Sequence, residues 1–371
     1  MDRLRVTYQI QAQNNDEAQE RANNIALEQT VEIPRDVVPK GFIEDEILGK
    51  VESCSQTHES HFDAIVSYSA KSVGTELTQL FNVIFGNSSI QQGLQVTNVD
   101  LGSVLGKQFP GARFGTKGVR ERAACSTGGL ISPVLKPQGS NTNELAEIAY
   151  LCALAGANIV KEDHGLVNQP AAPFKKRVEE IAKAVNRANK ETGHNCLYFP
   201  NIGGHFTSVI EDAQFAKQAG AGGILLMPGL LGFDIVNHFS SDADFDLPIM
   251  THPSFLGPYV LSNDTGFTHS MMFGVLQRLA GSDISVFPNV GGRFGFSSAQ
   301  CQSIASACCS TKGIGKPIFP SPGGGMSKDR AGEMRRMYGD DVVYLLGGSL
   351  LRYGDKIGEG IKEMRTALAA R

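Results

Sequence analysis

The chain has 371 residues, 41% of them hydrophobic and 19% charged, with 34 Lys+Arg against 38 Asp+Glu. A formal charge of -4, with no block of like charge, argues against a disordered chain, a nucleic-acid partner or a membrane-surface patch. No apolar run approaches the roughly 18 to 20 residues that span a bilayer, and the first twenty residues are too polar for a secretory leader.

These features predict a cytoplasmic protein large enough for two domains. Seven cysteines without C-x-x-C spacing predict reduced thiols rather than a disulfide framework or a structural zinc site.

Residues 1–125 carry α+β patterning. Leu4–Ile10 reads as a strand, Asn15–Gln29 as a helix, Ala64–Ser69 as a strand and Gly74–Phe85 as a helix. The basic, glycine-rich stretch GARFGTKG at 111–118 reads as a crossover into the second domain, residues 126–371. There, eight short apolar runs alternate with amphipathic stretches. The runs are Gly129–Leu135, Ala157–Glu162, Asn195–Pro200, Gly223–Pro228, Leu247–His252, Asp283–Pro288, Lys316–Ser321 and Val342–Leu346. Helical spacing is clear in Phe174, Val178, Ile181 and Val185, and in Ile357, Ile361, Met364 and Leu368. Asn143, ahead of Glu144 and Glu147, reads as a helix N-cap.

Eight buried strands alternating with eight helices predict an α/β fold, a (β/α)8 barrel of the TIM type preceded by the smaller α+β domain. An open doubly wound sheet would usually stop at five or six strands and carry GxGxxG after its first, which is absent at Leu135–Gly139. Functional side chains of such a barrel project from the C-terminal strand ends. The candidates are Lys136, then Lys161, Asp163 and His164, then Asn201, His252 and Arg293, with Asn201 and Arg293 as contacts to the substrate or its phosphate. Gly323, Gly324, Gly347 and Gly348 end the last two strands. Glycine loops there expose backbone N–H groups that can hold a phosphate. Within NIVKEDHG at 158–165, two-residue periodicity aims Lys161 and Asp163 to one side and Glu162 to the other, where it pairs structurally.

These segments together resemble the large subunit of ribulose-bisphosphate carboxylase and, more closely, its non-carboxylating relatives, the RuBisCO-like (form IV) proteins. The likeness runs from about residue 50 to the C-terminus. It is carried by LKPQG at 135–139, GANIVKEDHGLVNQP at 156–170, PSPGGGMS at 320–327, GDD at 339–341 and YLLGGSL at 344–350. VESCSQTH at 51–58 and FNVIFGN at 81–87 resemble segments that reach into a partner's active site.

The resemblance implies a homodimer in which Glu52, Thr57 and Asn82 complete the neighbouring pocket. It also implies Mg2+ held by a carbamylated Lys161 with Asp163, and enolisation of a phosphorylated ketose. Lys136 is then the candidate for proton transfer, and His252 is a catalytic candidate beside it.

Several positions depart from the carboxylase pattern. His164 stands where a glutamate binds the metal, Gln138 replaces the second lysine of the first-strand motif, and Arg293 in GGRFG stands for the mobile loop lysine. ISVFPN lacks the sixth-strand histidine, and His58 replaces a tryptophan. Fixation of CO2 is therefore not expected. The compact chain and altered loops resemble the members that isomerise 5-methylthioribulose 1-phosphate to 1-methylthioxylulose 5-phosphate, and that is the reaction the resemblance implies. The alternatives are a decarboxylase or transcarboxylase of an oxo-sugar acid phosphate, a diketo-methylthiopentyl phosphate enolase, and a regulatory binding protein without catalysis.

Overall fold

A computed structural model describes residues 2–369. Strand β1 (Arg3–Gln11) alternates half-buried and fully buried positions, and Leu4, Val6, Tyr8 and Ile10 face inward. That two-residue period is what a sheet covered on one face requires. β1 lies between antiparallel β3 (His61–Ser69) and β4 (Leu94–Asp100), and β2 (Lys50–His58) forms the exposed edge beyond β3. Helices Asn15–Glu28 and Leu77–Phe85 bury Ala22, Ile25, Leu80 and Ile84 in the same core. Beneath them the Tyr8 hydroxyl, 2.9 Å from that of Tyr68, donates to the Ile84 carbonyl at 2.6 Å.

The second sheet is the expected barrel. Its parallel strands are β5 (Leu130–Leu135), β6 (Ile159–Glu162), β7 (Leu197–Phe199), β8 (Ile224–Leu226), β9 (Ile249–Thr251), β11 (Ile284–Pro288), β12 (Phe319–Gly323) and β13 (Val343–Leu346). The order is β7-β6-β5-β13-β12-β11-β9-β8, and an Asn201–Leu225 bridge brings β7 to β8 and nearly closes the ring. Every residue of β5 and β6 is buried, because one face meets the barrel interior and the other meets helices. Leu130, Val134, Ile159, Leu197, Phe199, Leu225, Met250, Ile284, Val286, Phe319, Val343 and Leu345 fill the interior. Outside, the helix Phe174–Thr192 turns Val178, Ile181 and Val185 inward and stops at Gly193, whose φ of +73° suits glycine.

β10 (Gly266–Phe267), from the segment after β9, adds a parallel pair to β4 and so ties the two sheets together. Phe267 meets Phe85 edge-on at 5.1 Å, and Phe233 meets Phe81 at 5.2 Å.

Three local expectations need correction. The N-cap of helix Thr142–Leu154 is Asn141, not Asn143. Asn141 Oδ1 accepts from the Asn143 and Glu144 N–H groups while Glu144 returns a bond to the Asn141 N–H, a reciprocal box that needs glutamate three residues on. The seventh barrel strand starts at Phe319 rather than Lys316 and runs through Gly323, so Gly323 is a strand residue paired with Leu345. β2 and β4 were missing from the expected elements; β2 has no buried residue and shows no alternation to detect.

Candidate functional site

Interior-facing parity carries the site. Ile159 points into the barrel, so Lys161 does too, and Asp163 follows at the strand mouth. Lys161 is 1% exposed, and its Nζ donates to the Glu162 carbonyl at 2.7 Å. Burial pulls its pKa down to about 8, so part of the amine is neutral near physiological pH.

Lys136, at the end of β5, places Nζ 2.7 Å from Asp163 Oδ1. His164 Nδ1 is 3.4 Å from the same oxygen. Burial works against ionisation of Asp163, but the bonds from His164 and Lys136 hold its carboxyl well below the usual range. The His164 ring stacks on His252 with centroids 4.1 Å apart and planes 16° apart. Burial, reinforced by the charge on Lys161, keeps His252 well below the usual histidine range and therefore neutral. The Ser254 N–H donates to His252 Nδ1 at 3.3 Å and the Ser254 hydroxyl lies 2.9 Å away, which leaves Nε2 to carry the ring proton.

Glu162, on the opposite side of β6, is fully buried. It accepts from Arg177 Nε at 2.7 Å and Nη2 at 3.2 Å, from the Tyr198 hydroxyl at 2.6 Å and from the Asn201 N–H at 2.9 Å. Asn201, expected to contact the substrate, is instead fully buried, and its Nδ2 donates to the carbonyls of His164 at 3.0 Å and Leu166 at 2.9 Å. A buried ion pair behind the strand thus holds the loop that carries Asp163 and His164. Arg177 lies one helix away, at a sequence distance where no motif pointed to it.

The glycine loops rim the same end of the barrel. Gly324 has a φ of +93°, and a Cβ on Gly347 or Gly348 would meet nothing within 4 Å, so the space above them is open to a ligand. Ser349 Oγ donates to the Met326 carbonyl at 2.8 Å, joining the loops after β12 and β13. Arg293 is exposed, with its guanidinium carbon 5.7 Å from the Phe294 ring centroid.

Glu52, Thr57 and Asn82 lie apart from this cluster, exposed on the N-terminal domain. Glu52 pairs with Arg5 at 2.8 Å, Thr57 Oγ1 donates to the His61 carbonyl at 3.1 Å, and Asn82 Nδ2 donates to Gln79 at 3.3 Å. Within one chain the structure brings together Lys136, Lys161, Asp163, His164, Asn201 and His252, and it leaves these three outside.

Among the described residues, no group of three or more His, Cys, Asp or Glu side chains converges as a ready-made metal cluster. The donor chemistry would suit a hard cation through two oxygen sources, the Asp163 carboxylate and, were the Lys161 amine converted to a carbamate, the oxygens of that group. His164 is a poorer ligand for such an ion.

A family model described as ribulose bisphosphate carboxylase large chain, catalytic domain, matches residues 116–293. The chain is 36% identical over 363 residues to the 5-methylthioribulose-1-phosphate isomerase of Rhodospirillum rubrum, covering 96% of this chain and 94% of that protein. It is 27% identical to the 2,3-diketo-5-methylthiopentyl-1-phosphate enolase of Bacillus pumilus, covering 94% and 88%. The crystal structure of a Rubisco-like protein from Rhodopseudomonas palustris superposes with a TM-score of 0.85 at 31% identity, covering 100% and 98%.

Proposed function

Because the chain belongs to the RuBisCO-like family, we propose that it enolises and isomerises a phosphorylated ketose, converting 5-methylthioribulose 1-phosphate to 1-methylthioxylulose 5-phosphate. The observation that carries this reading is the Lys136–Asp163–His164–His252 cluster, which shares one barrel rim with the open glycine loops. It supports proton movement at one end of a substrate whose phosphate is anchored at the other.

Lys161, as its carbamate, and Asp163 would hold Mg2+, which supplies Lewis acidity to a carbonyl oxygen. Lys136 shares Asp163 with any bound cation; once released from the carboxylate and deprotonated, its amine takes the proton from the carbon beside the carbonyl and returns it to the former carbonyl carbon, and a second such transfer one carbon further along brings the carbonyl next to the methylthiomethylene group. His252 donates from Nε2 to a substrate oxygen as negative charge develops there, and Asn201 holds the loop in place. The backbone N–H groups around Gly323, Gly324, Gly347 and Gly348, with Arg293 at the rim, receive the phosphate. In the dimer that the family likeness implies, Glu52, Thr57 and Asn82 of a second copy cover the mouth.

The enolase reading is the weaker one, because the chain is 36% identical to the isomerase relative and 27% identical to the enolase relative. The test incubates purified protein with Mg2+, bicarbonate and 13C-labelled 5-methylthioribulose 1-phosphate and follows the carbon positions by NMR. Appearance of the 5-phosphate product is expected; absence of any turnover would remove the isomerase reading.

A further inference from the structure

We propose that Arg330 is a positioning residue that couples the loop after β11 to the loop after β12 and so presets the phosphate cradle. This inference rests on the phosphate reading given above. Arg330 Nη1 donates to two carbonyls from different loops, Val290 at 3.0 Å and Gly325 at 2.9 Å. Its other edge is taken up by Glu333, with Nε at 3.0 Å from Oε2 and Nη2 at 2.9 Å from Oε1. Glu333 cancels the charge, so the contribution of the guanidinium is geometric, through its planar fork.

The glycines around it leave room for this side chain. Gly291 and Gly325 adopt φ of +72° and +63°, and a Cβ on either would lie 2.7 or 2.8 Å from Arg330 Nη1. Asn289 completes the clamp. Its N–H donates to the Gly323 carbonyl at 2.9 Å, and its Nδ2 donates to the Gly324 carbonyl at 3.2 Å.

A trans peptide puts its N–H on the side opposite its carbonyl. Holding the carbonyls of Val290, Gly324 and Gly325 inward therefore turns the N–H groups of Gly291, Gly325 and Met326 away from the clamp. Among the described residues, none of these three N–H groups has a protein acceptor. They are the donors that an anion at the barrel rim would use.

The test titrates inorganic phosphate into wild type, R330M and R330K by calorimetry, and measures kcat and KM with the sugar phosphate. Both variants should bind phosphate about tenfold more weakly and raise KM by a similar factor, with kcat within about twofold, as expected for lost hydrogen bonds that orient a binding loop. Wild-type affinity in R330K would show that charge rather than the fork matters and would overturn the proposal, as would a loss confined to kcat. Gly291→Ala, made in wild type and in R330M, gives a second reading. It should weaken phosphate binding less where the guanidinium is gone, and equal losses in both backgrounds would overturn the clamp. If the wild type itself binds no phosphate, the cradle reading falls, a result distinct from any variant effect.

Discussion

The two ends of the barrel spend the same kinds of side chain differently. At the end where the strands begin, Asp283 is fully buried, and its carboxylate accepts N–H groups from Phe114 at 2.9 Å, Gly115 at 2.7 Å and Ile249 at 3.0 Å. Arg120 nearby is bound to the carbonyls of Cys125, Gly128 and Asp340 and to Asp341. Each charged group there ends on backbone or on an opposite charge, fastening the crossover segment under the barrel. At the other end Asp163 has Lys136, but His164 remains 42% exposed and the amides beside Gly325 have no protein acceptor. Closed networks stabilise the fold, whereas groups left open at a strand mouth are where a substrate can enter.

The sharpest way to break this contrast is Lys161→Ala. It should reduce metal-dependent turnover on the order of 10^3-fold while circular dichroism shows an intact fold; unchanged turnover in the NMR assay would reject Lys161 as part of the site. Arg177→Met should act on stability, because it leaves Glu162 charged and buried without its partner. The expected cost is about 3 to 5 kcal/mol in urea unfolding, and a negligible shift would remove the supporting role given to this pair.

Asp283→Asn probes the closed end and should cost about 1 to 3 kcal/mol through a lost acceptor. Burial raises the Asp283 pKa from its usual value to about 6 despite the three backbone bonds. A group raised in this way contributes stability that is complete below its unfolded pKa and lost as the pH rises through about 6. The stability gap between wild type and D283N should therefore be wider at pH 5 than at pH 7, and a pH-independent gap would contradict that assignment. The smallest effect is expected for Gly348→Ala. It opens the short helix Gly348–Leu351 and has open space at its Cβ position, so the unfolding free energy should change by less than about 0.5 kcal/mol. Inorganic phosphate should nevertheless bind several-fold more weakly to it, measured by calorimetry, because the methyl group enters the cradle.

Much of the barrel was legible because fully buried strands are short apolar runs and amphipathic helices repeat at three and four residues. The same periodicity aimed Lys161 and Asp163 together and turned Glu162 away, an arrangement the structure repeats. Where the structure departs from local pattern, the local signal is ambiguous. Asn141 and Asn143 are both good caps, and only the reciprocal bond with Glu144 separates them. Lys316–Ser321 is apolar enough for a strand, but pairing with β11 and β13 selects Phe319–Gly323. β2 shows no alternation because it lies at a sheet edge without a buried face.

Local period and composition are enough to specify the alternation of strands and helices and the residues at the strand ends, and the motifs at those ends carry the family likeness. Only the tertiary structure decided that Arg177 backs Glu162, that His164 stacks on His252 and that Arg330 spans two loops. The Glu162–Arg177, Val290–Arg330 and His164–His252 contacts join residues 15, 40 and 88 positions apart, and no local pattern encodes them, because they exist only once the strands have closed into a ring and brought their loops to one rim.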